Sequence, residues 1–261
     1  MQDNILEIKN LSKYFGGLAA VSNCSFNVKQ GSITGIIGPN GSGKTTLFNL
    51  IAGNLKSSTG SVLFNNENIT DIPSYELFSK GLLRTFQIAH EFTNLSVLEN
   101  LMMVPGNQSG EKLINALIKP GLVAKEESQI KEKAVEVVDF LNLSHLKNEL
   151  AGNLSGGQKK LLELGRTMMV DAKLVLLDEV GAGVNRTLLK DLGTAIEKLN
   201  KDKGYTFCMI EHDMDFIGRL CDPVIVMAEG SVLFEGSVED AKKDERVIES
   251  YLGRGSKLKD N

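Results

Sequence analysis

The segment "GPNGSGKTT", residues 38–46, constrains the fold of this chain more than any other part of its sequence. It contains the phosphate-binding pattern G-x-x-x-x-G-K-[ST], which requires a strand before the loop and a helix after it. The apolar run "SITGII" precedes the glycines, and Leu47, Leu50 and Ile51 follow on one face of a predicted helix that Gly53 ends. The order of strand, glycine-rich loop and helix therefore predicts an α/β fold.

This loop offers three kinds of contact to the phosphates of a nucleotide. Backbone N–H groups at the helix start surround the phosphates, Lys44 reaches the outer ones, and the Thr45 hydroxyl binds Mg²⁺. A plain glycine turn is the alternative interpretation. We predict ATP and Mg²⁺ as ligands, and the loop residues expected to bind ATP are Gly38, Pro39, Asn40, Gly41, Ser42, Gly43, Lys44, Thr45 and Thr46.

Polar side chains follow two other predicted strands. Asp178 and Glu179 come after "KLVLL", and Glu211 and His212 come after "YTFCMI". Open α/β sheets bind their ligands beyond the carboxyl ends of the strands. Beside a phosphate loop, we expect Asp178 near the metal, Glu179 as the base that deprotonates the attacking water, and His212 at the same rim. Without that loop, the two carboxylates would be interpreted as turn caps and His212 as a core histidine.

Gln87, in "RTFQ", stands where the early strands give way to a helical middle portion. Its side-chain amide can accept a hydrogen bond from a metal-bound water. We therefore predict Gln87 beside the metal with Thr45 and Asp178, and a surface glutamine is the alternative interpretation.

The chain divides into stretches of different periodicity. Short strands are predicted near the N-terminus by "ILEIKNL", "CSFNVKQG" and "GSVLFNN", and strands alternate with helices again from about residue 173. Between them, "EKLINALIKPG" and "EESQIKEKAVEVVDFL" predict two helices, the first of which Pro120 and Gly121 should stop. We predict a helical subdomain, approximately residues 88–157, inserted in a single domain of residues 1–253, with a polar tail at 254–261.

A second glycine-rich helix start, "LSGGQKK", lies more than a hundred residues after the first. Ser155 is a good N-cap, and the glycines behind it permit close approach of a backbone, so the segment is predicted to bind a second anion. Two phosphate-binding helix starts in one chain are reconciled if two copies bind two ATP molecules head to tail. The residues predicted to contact the ATP of the other copy are Leu154, Ser155, Gly156, Gly157 and Gln158.

Composition excludes several classes of function. A formal net charge of −4 over 261 residues argues against a general nucleic-acid binder, since such domains usually carry a basic excess. No apolar run approaches the roughly 18 residues that span a bilayer, and the acidic start "MQDNILEIKN" differs from a signal peptide. We therefore expect a cytoplasmic protein whose three cysteines are reduced.

Taken together, "GPNGSGKTT", "TFQ", "LSGGQ", "LVLLDE" and "EHD" resemble, in order and spacing, the ATP-binding cassette (ABC) ATPases over almost the whole chain. The resemblance implies a P-loop ABC ATPase fold, with a RecA-like core, an N-terminal antiparallel β-subdomain and an inserted α-helical subdomain. It also implies that Phe15 stacks on adenine and that Gln87 and His212 sense the metal and the γ-phosphate. Packing at a strand edge is the alternative for Phe15.

More narrowly, "KYFGGLAAVSNCSF", "LLRTFQIAHEFTNLSVLENLMM", "GAGVN" and "VIESYLG" resemble the ATPase subunits of branched-chain amino acid importers. The resemblance implies uptake of leucine, isoleucine and valine, powered by the chain from the inner face of the cell membrane. The implied partners are a second ATPase subunit in a homodimer or heterodimer, polytopic membrane permease subunits and, indirectly, a periplasmic solute-binding protein, but no nucleic acid. Val180 departs from the proline usual after the catalytic glutamate, so the turn geometry there stays open, whereas Asn185 in place of aspartate is similar to this subfamily.

Other functions stay open at this stage. The ATPase subunits of urea or amide importers and of lipopolysaccharide export also resemble the chain. A soluble cassette ATPase of DNA repair or translation usually carries long coiled coils or two cassettes, which this sequence lacks. A P-loop small-molecule kinase would leave "LSGGQ" unexplained.

Overall fold

A computed structural model of the protein describes residues 3–85, 91–106, 108–111 and 118–256. The chain forms two compact units, of which the first comprises residues 1–87, 173–182 and 196–261, and the second comprises residues 88–172 and 183–195. The segment 88–157, predicted as a helical subdomain, lies within the second of these units.

Strands predominate in the N-terminal part of the described chain, helices follow one another in its middle, and strands alternate with helices again from residue 174. The strands are β1 (Asn4–Phe15), β2 (Leu18–Lys29), β3 (Ile33–Ile37), β4 (Thr59–Phe64), β5 (Glu67–Asn68), β6 (Leu82–Arg84), β7 (Leu174–Asp178), β8 (Thr206–Ile210), β9 (Val224–Ala228) and β10 (Ser231–Gly236). The helices are α1 (Lys44–Ile51), α2 (Ser74–Lys80), α3 (Val97–Met102), α4 (Pro120–Phe140), α5 (Gly156–Met168), α6 (Arg186–Lys203), α7 (Met214–Leu220), α8 (Val238–Ala241) and α9 (Glu245–Ser256).

Within the described residues, the first unit contains two β-sheets. A smaller antiparallel sheet has the order β2-β1-β4-β5, and a larger one has the order β10-β9-β3-β8-β7-β6. All neighbours in the larger sheet are parallel except β10, which runs antiparallel to β9. Since β3, β8 and β7 are consecutive parallel neighbours, their carboxyl ends meet at one edge of the sheet. The residues predicted to bind phosphate and to activate water follow these ends.

Burial explains why these segments become central strands. Every residue of β3, β7 and β8 is buried, as expected for parallel strands that are covered on both faces. Helix α1 buries Leu47, Phe48, Leu50 and Ile51 in the same hydrophobic core as the inner residues of β1, β2 and β4. The apolar face predicted for α1 is thus the face that fixes the phosphate loop on the sheet.

The second unit is helical in its described part. Helix α4 buries Ala134, Val137 and Val138, and a side chain at Gly165 of α5 would lie 2.7 Å from a methyl carbon of Leu141. The glycine therefore permits close packing of α5 beside the end of α4. None of the helices in the described ranges has the length and apolar content needed to cross a bilayer.

Two details differ from the sequence-based expectations. The second predicted helix begins earlier than the segment "EESQIKEKAVEVVDFL", because Pro120 is the first residue of α4, where the N–H that proline lacks would have no partner within the helix. The helix expected before it falls largely on residues 112–117, which lie outside the described residues. Helix α9 continues to Ser256, so residues 254–256, predicted as part of a polar tail, are helical.

Candidate active site

The phosphate loop connects β3 to α1 and depends on glycine at two of its turns. Gly38 has φ 148° and Gly43 has φ 98°, and a Cβ atom would lie 2.1 Å from the Met227 carbonyl oxygen at Gly38 and 2.3 Å from the Ala20 carbonyl oxygen at Gly43. Residues with side chains are therefore excluded at both positions. Gly43 is also the N-cap of α1 and provides no side-chain hydrogen bond, so the first N–H groups of this helix can serve a ligand.

Lys44 is held directly over this loop. Its Nζ donates to the carbonyl oxygens of Gly38, at 2.8 Å, and Pro39, at 3.0 Å. Burial lowers the pKa of the ammonium, and the negative charges of Glu179 and Asp178 partly oppose that shift. The side chain thus holds its positive charge against two backbone carbonyl oxygens of the loop.

A cavity of about 510 Å³ extends from the loop to the ends of the neighbouring strands. Its volume lies in the range of small-molecule binding sites. The residues that line it are Leu18, Ala19, Ala20, Asn40, Gly41, Gly43, Lys44, Thr45, Thr46, Glu179, His212, Glu229 and Gly230. The fold therefore brings the predicted phosphate-binding loop together with the predicted base and histidine. The lining residues from β2, Glu229 and Gly230 belong to no sequence motif and were not predicted.

Glu179 and His212 form a hydrogen-bonded pair at the rim of this cavity. The distance between His212 Nε2 and Glu179 Oε1 is 2.9 Å. Glu179 adopts a left-handed backbone conformation with φ 50°, which costs about 1–3 kcal/mol for a residue with a side chain and is common at functional sites. The following residue, Val180, is buried. The carboxylate is oriented by a neighbouring ring, as expected for a general base.

A second carboxylate, Glu211, lies beneath this pair. Its side chain is buried, Oε1 accepts a hydrogen bond from the Gly181 N–H at 2.7 Å, and Oε2 accepts one from the His212 N–H at 3.4 Å. Burial raises the pKa of Glu211, and the two N–H donors partly oppose that shift. The sequence pattern places Glu211 at the rim of the sheet but assigns it no role.

Asp178, the last residue of β7, forms a salt bridge with Arg84, a residue to which the sequence analysis gave no role. Its Oδ2 accepts a hydrogen bond from Nη2 of Arg84 at 2.7 Å, and both side chains are nearly buried. Nη1 of Arg84 donates to Asn49 Oδ1, on α1, at 2.6 Å. The sequence signal for this pair is a basic residue at the end of β6, the strand beside β7.

The residues predicted near the metal supply suitable atoms. A hydroxyl oxygen from Thr45, which lines the cavity, and a carboxylate from Asp178 are the hard oxygen ligands that Mg²⁺ prefers. These two residues therefore fit a magnesium ion in donor chemistry. Gln87, the other residue predicted near the metal, lies outside the described residues.

Phe15, predicted to stack on adenine, is the last residue of β1. Half of its surface is exposed, and it pairs across the turn with Leu18, which lines the cavity. Lys13 Nζ lies 5.3 Å from the centroid of its ring. The aromatic face is thus accessible beside the cavity wall, as stacking on a base requires.

The second glycine-rich helix start belongs to the other unit. Ser155 Oγ accepts a hydrogen bond from the Gln158 N–H at 3.4 Å, and Gln158 Oε1 accepts one from the Ser155 N–H at 2.9 Å, which together form a capping box. A Cβ atom at Gly157 would lie 2.5 Å from Cδ1 of Leu188, whereas one at Gly156 would meet nothing closer than 3.9 Å. The two glycines therefore have different roles, since the second allows packing and the first leaves the helix start open.

Comparisons with known proteins agree on one family. The family described as "ABC transporter" matches residues 21–182. A probable branched-chain amino acid transport ATP-binding protein LivG of Archaeoglobus fulgidus is 44% identical over 249 residues, which cover 95% of each chain. The crystal structure of a nucleotide-free ATP-binding cassette from an ABC transporter is 40% identical, with a TM-score of 0.82, and the match covers 95% of this chain and 99% of that one. A bacterial ABC transporter cassette solved as a dimer is 25% identical, with a TM-score of 0.72, and the match covers 89% and 98% of the two chains.

Proposed function

This chain belongs to the ABC transporter family and is an ATPase, and from that premise we propose that it is the ATP-hydrolysing subunit of an importer for leucine, isoleucine and valine. The observation that carries the proposal is the joint lining of one cavity by the phosphate loop, Glu179 and His212. The choice of solute is supported by the relative from Archaeoglobus fulgidus, which matches along nearly the whole of both chains.

ATP is bound from two sides of the cavity. The N–H groups at the start of α1 and the ammonium of Lys44 hold the phosphates, and Lys44 exchanges its two carbonyl partners for phosphate oxygens. The exposed ring of Phe15 stacks on the adenine. The other ATP-binding residues of the loop are those predicted from the sequence, residues 38–46.

Mg²⁺ is held through the Thr45 hydroxyl, the Asp178 carboxylate and, as a further proposal from the sequence, the Gln87 amide. When bound, the ion neutralises negative charge on the phosphates. Arg84 keeps the Asp178 carboxylate in place through the 2.7 Å hydrogen bond.

Glu179 takes the proton of the water that attacks the γ-phosphate. Its carboxylate lines the cavity, and the hydrogen bond from His212 fixes its orientation. The left-handed backbone at Glu179 directs the side chain away from the buried strand that precedes it. His212 is at the same time within reach of the phosphate end of the cavity, where it senses the γ-phosphate.

Hydrolysis requires two copies in a head-to-tail dimer. The segment 154–158 of one copy contacts the ATP bound by the loop of the other, with Ser155 as its principal donor. The related cassette solved as a dimer supports an arrangement of two copies. The partner copy is a second molecule of this chain or a related ATPase subunit.

A polytopic permease subunit docks beside Gln87, and a periplasmic solute-binding protein acts through it, so the chain works on the inner face of the cell membrane. A cavity of about 280 Å³ on the first unit supports this site, because Arg84, three residues before Gln87, lines it together with the exposed Tyr75 and Phe78. Exposed aromatic residues at a small cavity are typical of protein interfaces. Tyr75→Glu should release the permease in co-purification and leave ATP affinity unchanged.

Uptake of radiolabelled leucine tests the whole proposal. A deletion strain complemented with this chain should regain leucine uptake, whereas the same strain complemented with Glu179→Gln should not. If the deletion strain still takes up leucine normally but has lost uptake of urea or other amides, the assignment as an ATPase stands and the proposed solute is wrong. If the deletion strain has instead lost lipopolysaccharide export, the proposal that the chain powers an importer is wrong.

A further inference from the structure

Glu211 is a buried carboxylate that the proposed chemistry does not use. It is 4% exposed, and a carboxylate at that depth is retained in proteins when specific donors satisfy it. Its two oxygens accept hydrogen bonds from two backbone N–H groups, those of Gly181 and His212, which belong to different segments of the first unit. Glu211 therefore connects the turn after β7 to the end of β8.

The two tethered amides flank the catalytic pair. Gly181 lies two residues after Glu179, and the second amide is that of His212 itself. Two further backbone hydrogen bonds join these segments or close the turn, from the Glu179 N–H to the Ile210 oxygen at 2.9 Å and from the Ala182 N–H to the Glu179 oxygen at 3.1 Å. Of these contacts, those of Glu211 are the ones that a side-chain substitution removes.

The turn needs such support because its conformation is strained. Glu179 is held at φ 50°, in the left-handed region that residues with a side chain rarely adopt. The hydrogen bond from the Gly181 N–H to Glu211, two residues after Glu179, restrains this strained turn.

We propose that Glu211 is a positioning residue for ATP hydrolysis: by binding the N–H groups of Gly181 and His212, it holds the backbone on both sides of the Glu179–His212 pair and keeps the Glu179 carboxylate at the cavity. The inference rests on the proposed function, because Glu211 acts through Glu179 and not on ATP.

Two variants separate the tether from the negative charge. Glu211→Gln keeps one oxygen, which can accept from the Gly181 N–H, but it has no charge and places an NH₂ group where the second oxygen faces the His212 N–H at 3.4 Å, whereas Glu211→Ala removes both acceptors and the charge. We expect Glu211→Ala to lower kcat about 10- to 100-fold, as displacement of a reacting group does, with KM and ATP affinity within about twofold of the parent. Glu211→Gln should recover most of that loss.

A direct readout of the tether needs no ATP. In the nucleotide-free protein, the Gly181 amide proton, followed by NMR, should exchange with solvent faster in Glu211→Ala and remain protected in Glu211→Gln. Ser237→Ala, which removes the N-cap of α8 in the same unit, is the control for general loss of stability and should change neither kcat nor Gly181 exchange.

A double variant completes the test. Because Glu211 acts through Glu179, adding Glu211→Ala to Glu179→Gln should not slow the residual hydrolysis further. Parental kcat and parental Gly181 protection in Glu211→Ala would overturn the proposal, and so would equal losses in Glu211→Ala and Glu211→Gln. Absence of ATP hydrolysis by the parent would instead refute the proposed function, while Gly181 exchange would still test the tether.

Discussion

Helices α1 and α5 both begin behind glycines, but their first turns are completed in different ways. At α1, the N-cap Gly43 has no side chain, and no side-chain hydrogen bond caps the helix. At α5, Ser155 and Gln158 cap each other in a reciprocal box, as Ser96 and Glu99 do at α3. The N–H groups of α1 are therefore ready for a ligand within one copy, whereas a ligand at α5 must compete with Gln158 Oε1 for the Ser155 N–H.

The glycines themselves also serve different ends in the two segments. Gly38, Gly41 and Gly43 have positive φ values, so the loop before α1 needs glycine for its backbone conformation. Gly157 lies inside α5, where it is required for packing against Leu188. The comparison shows that a glycine-rich helix start is not by itself evidence of a preformed anion site. Substitutions at the two helix starts and at the catalytic pair can test this contrast.

Replacing Glu179 by glutamine isolates the chemical step from both helix starts. We expect Glu179→Gln to bind Mg-ATP and to hydrolyse it about 10² to 10⁴ times more slowly, because the general base is removed. Uncleaved ATP should then hold two copies together through the start of α5. Hydrolysis is measured by phosphate release and the dimer by light scattering; a monomer in ATP with undiminished hydrolysis would contradict both roles.

Lys44→Ala and Ser155→Ala contrast the two helix starts as binding sites. Loss of a charged donor to phosphate should weaken ATP binding by the monomer about 10- to 100-fold in Lys44→Ala. In Ser155→Ala, calorimetry should give nearly the parental affinity, although hydrolysis is lost. If Lys44→Ala binds ATP with the parental affinity, the phosphate loop is not the ATP-binding site.

Mixing the two variant chains tests whether the start of α5 acts across the dimer. A mixed dimer of Lys44→Ala and Ser155→Ala contains one intact loop facing one intact segment 154–158. Hydrolysis should reappear on mixing and should be greatest near equal amounts. No recovery at any ratio would show that Ser155 does not serve the ATP of the other copy.

Gly157→Ala and Gly156→Ala test the packing role within α5. A methyl group at Gly157 would overlap Leu188, so we expect Gly157→Ala to lower the free energy of unfolding by about 1–3 kcal/mol. Gly156→Ala meets no close atom and should stay within about 0.5 kcal/mol of the parent. Urea denaturation measures both, and equal losses would contradict the contrast.

Ser155→Ala and Ser96→Ala compare two capping boxes of the same unit. Each should lower stability by about 0.5–2 kcal/mol, the usual contribution of a serine N-cap. Only Ser155→Ala should also abolish hydrolysis, since Ser96 caps α3 without a proposed contact to ATP. Loss of hydrolysis in both variants would indicate that weakening the second unit is sufficient to inactivate the protein.

Local sequence patterns predicted much of the fold. The apolar runs after which Asp178 and Glu211 stand are buried parallel strands, and the apolar face of α1 is buried as expected. The start of α4 at Pro120 was not predicted, because proline both follows helices and occupies their first turn, and its neighbours in sequence do not distinguish these uses.

The candidate site was predictable where a contact is local in sequence or follows from sheet topology. Six of the nine predicted loop residues, at positions 40, 41 and 43–46, line one cavity with Glu179 and His212 because β3, β8 and β7 are neighbours. Two contacts were not predicted. Arg84 binds Asp178, which is distant from it in sequence, and Glu211 binds the backbone N–H of Gly181, a group that no side chain marks in the sequence.

The buried pair of Arg84 and Asp178 restricts which substitutions the chain can accumulate. Removing one partner would leave an uncompensated buried charge, at a cost of about 3–5 kcal/mol, which is a large part of the stability of a typical protein. Neither position can then drift alone, so a lineage that alters Arg84 must change Asp178 nearly at once. Because Asp178 is also the proposed metal ligand, that joint change is closed to any descendant that still hydrolyses ATP, and the arginine is retained as an indirect result of selection on the carboxylate.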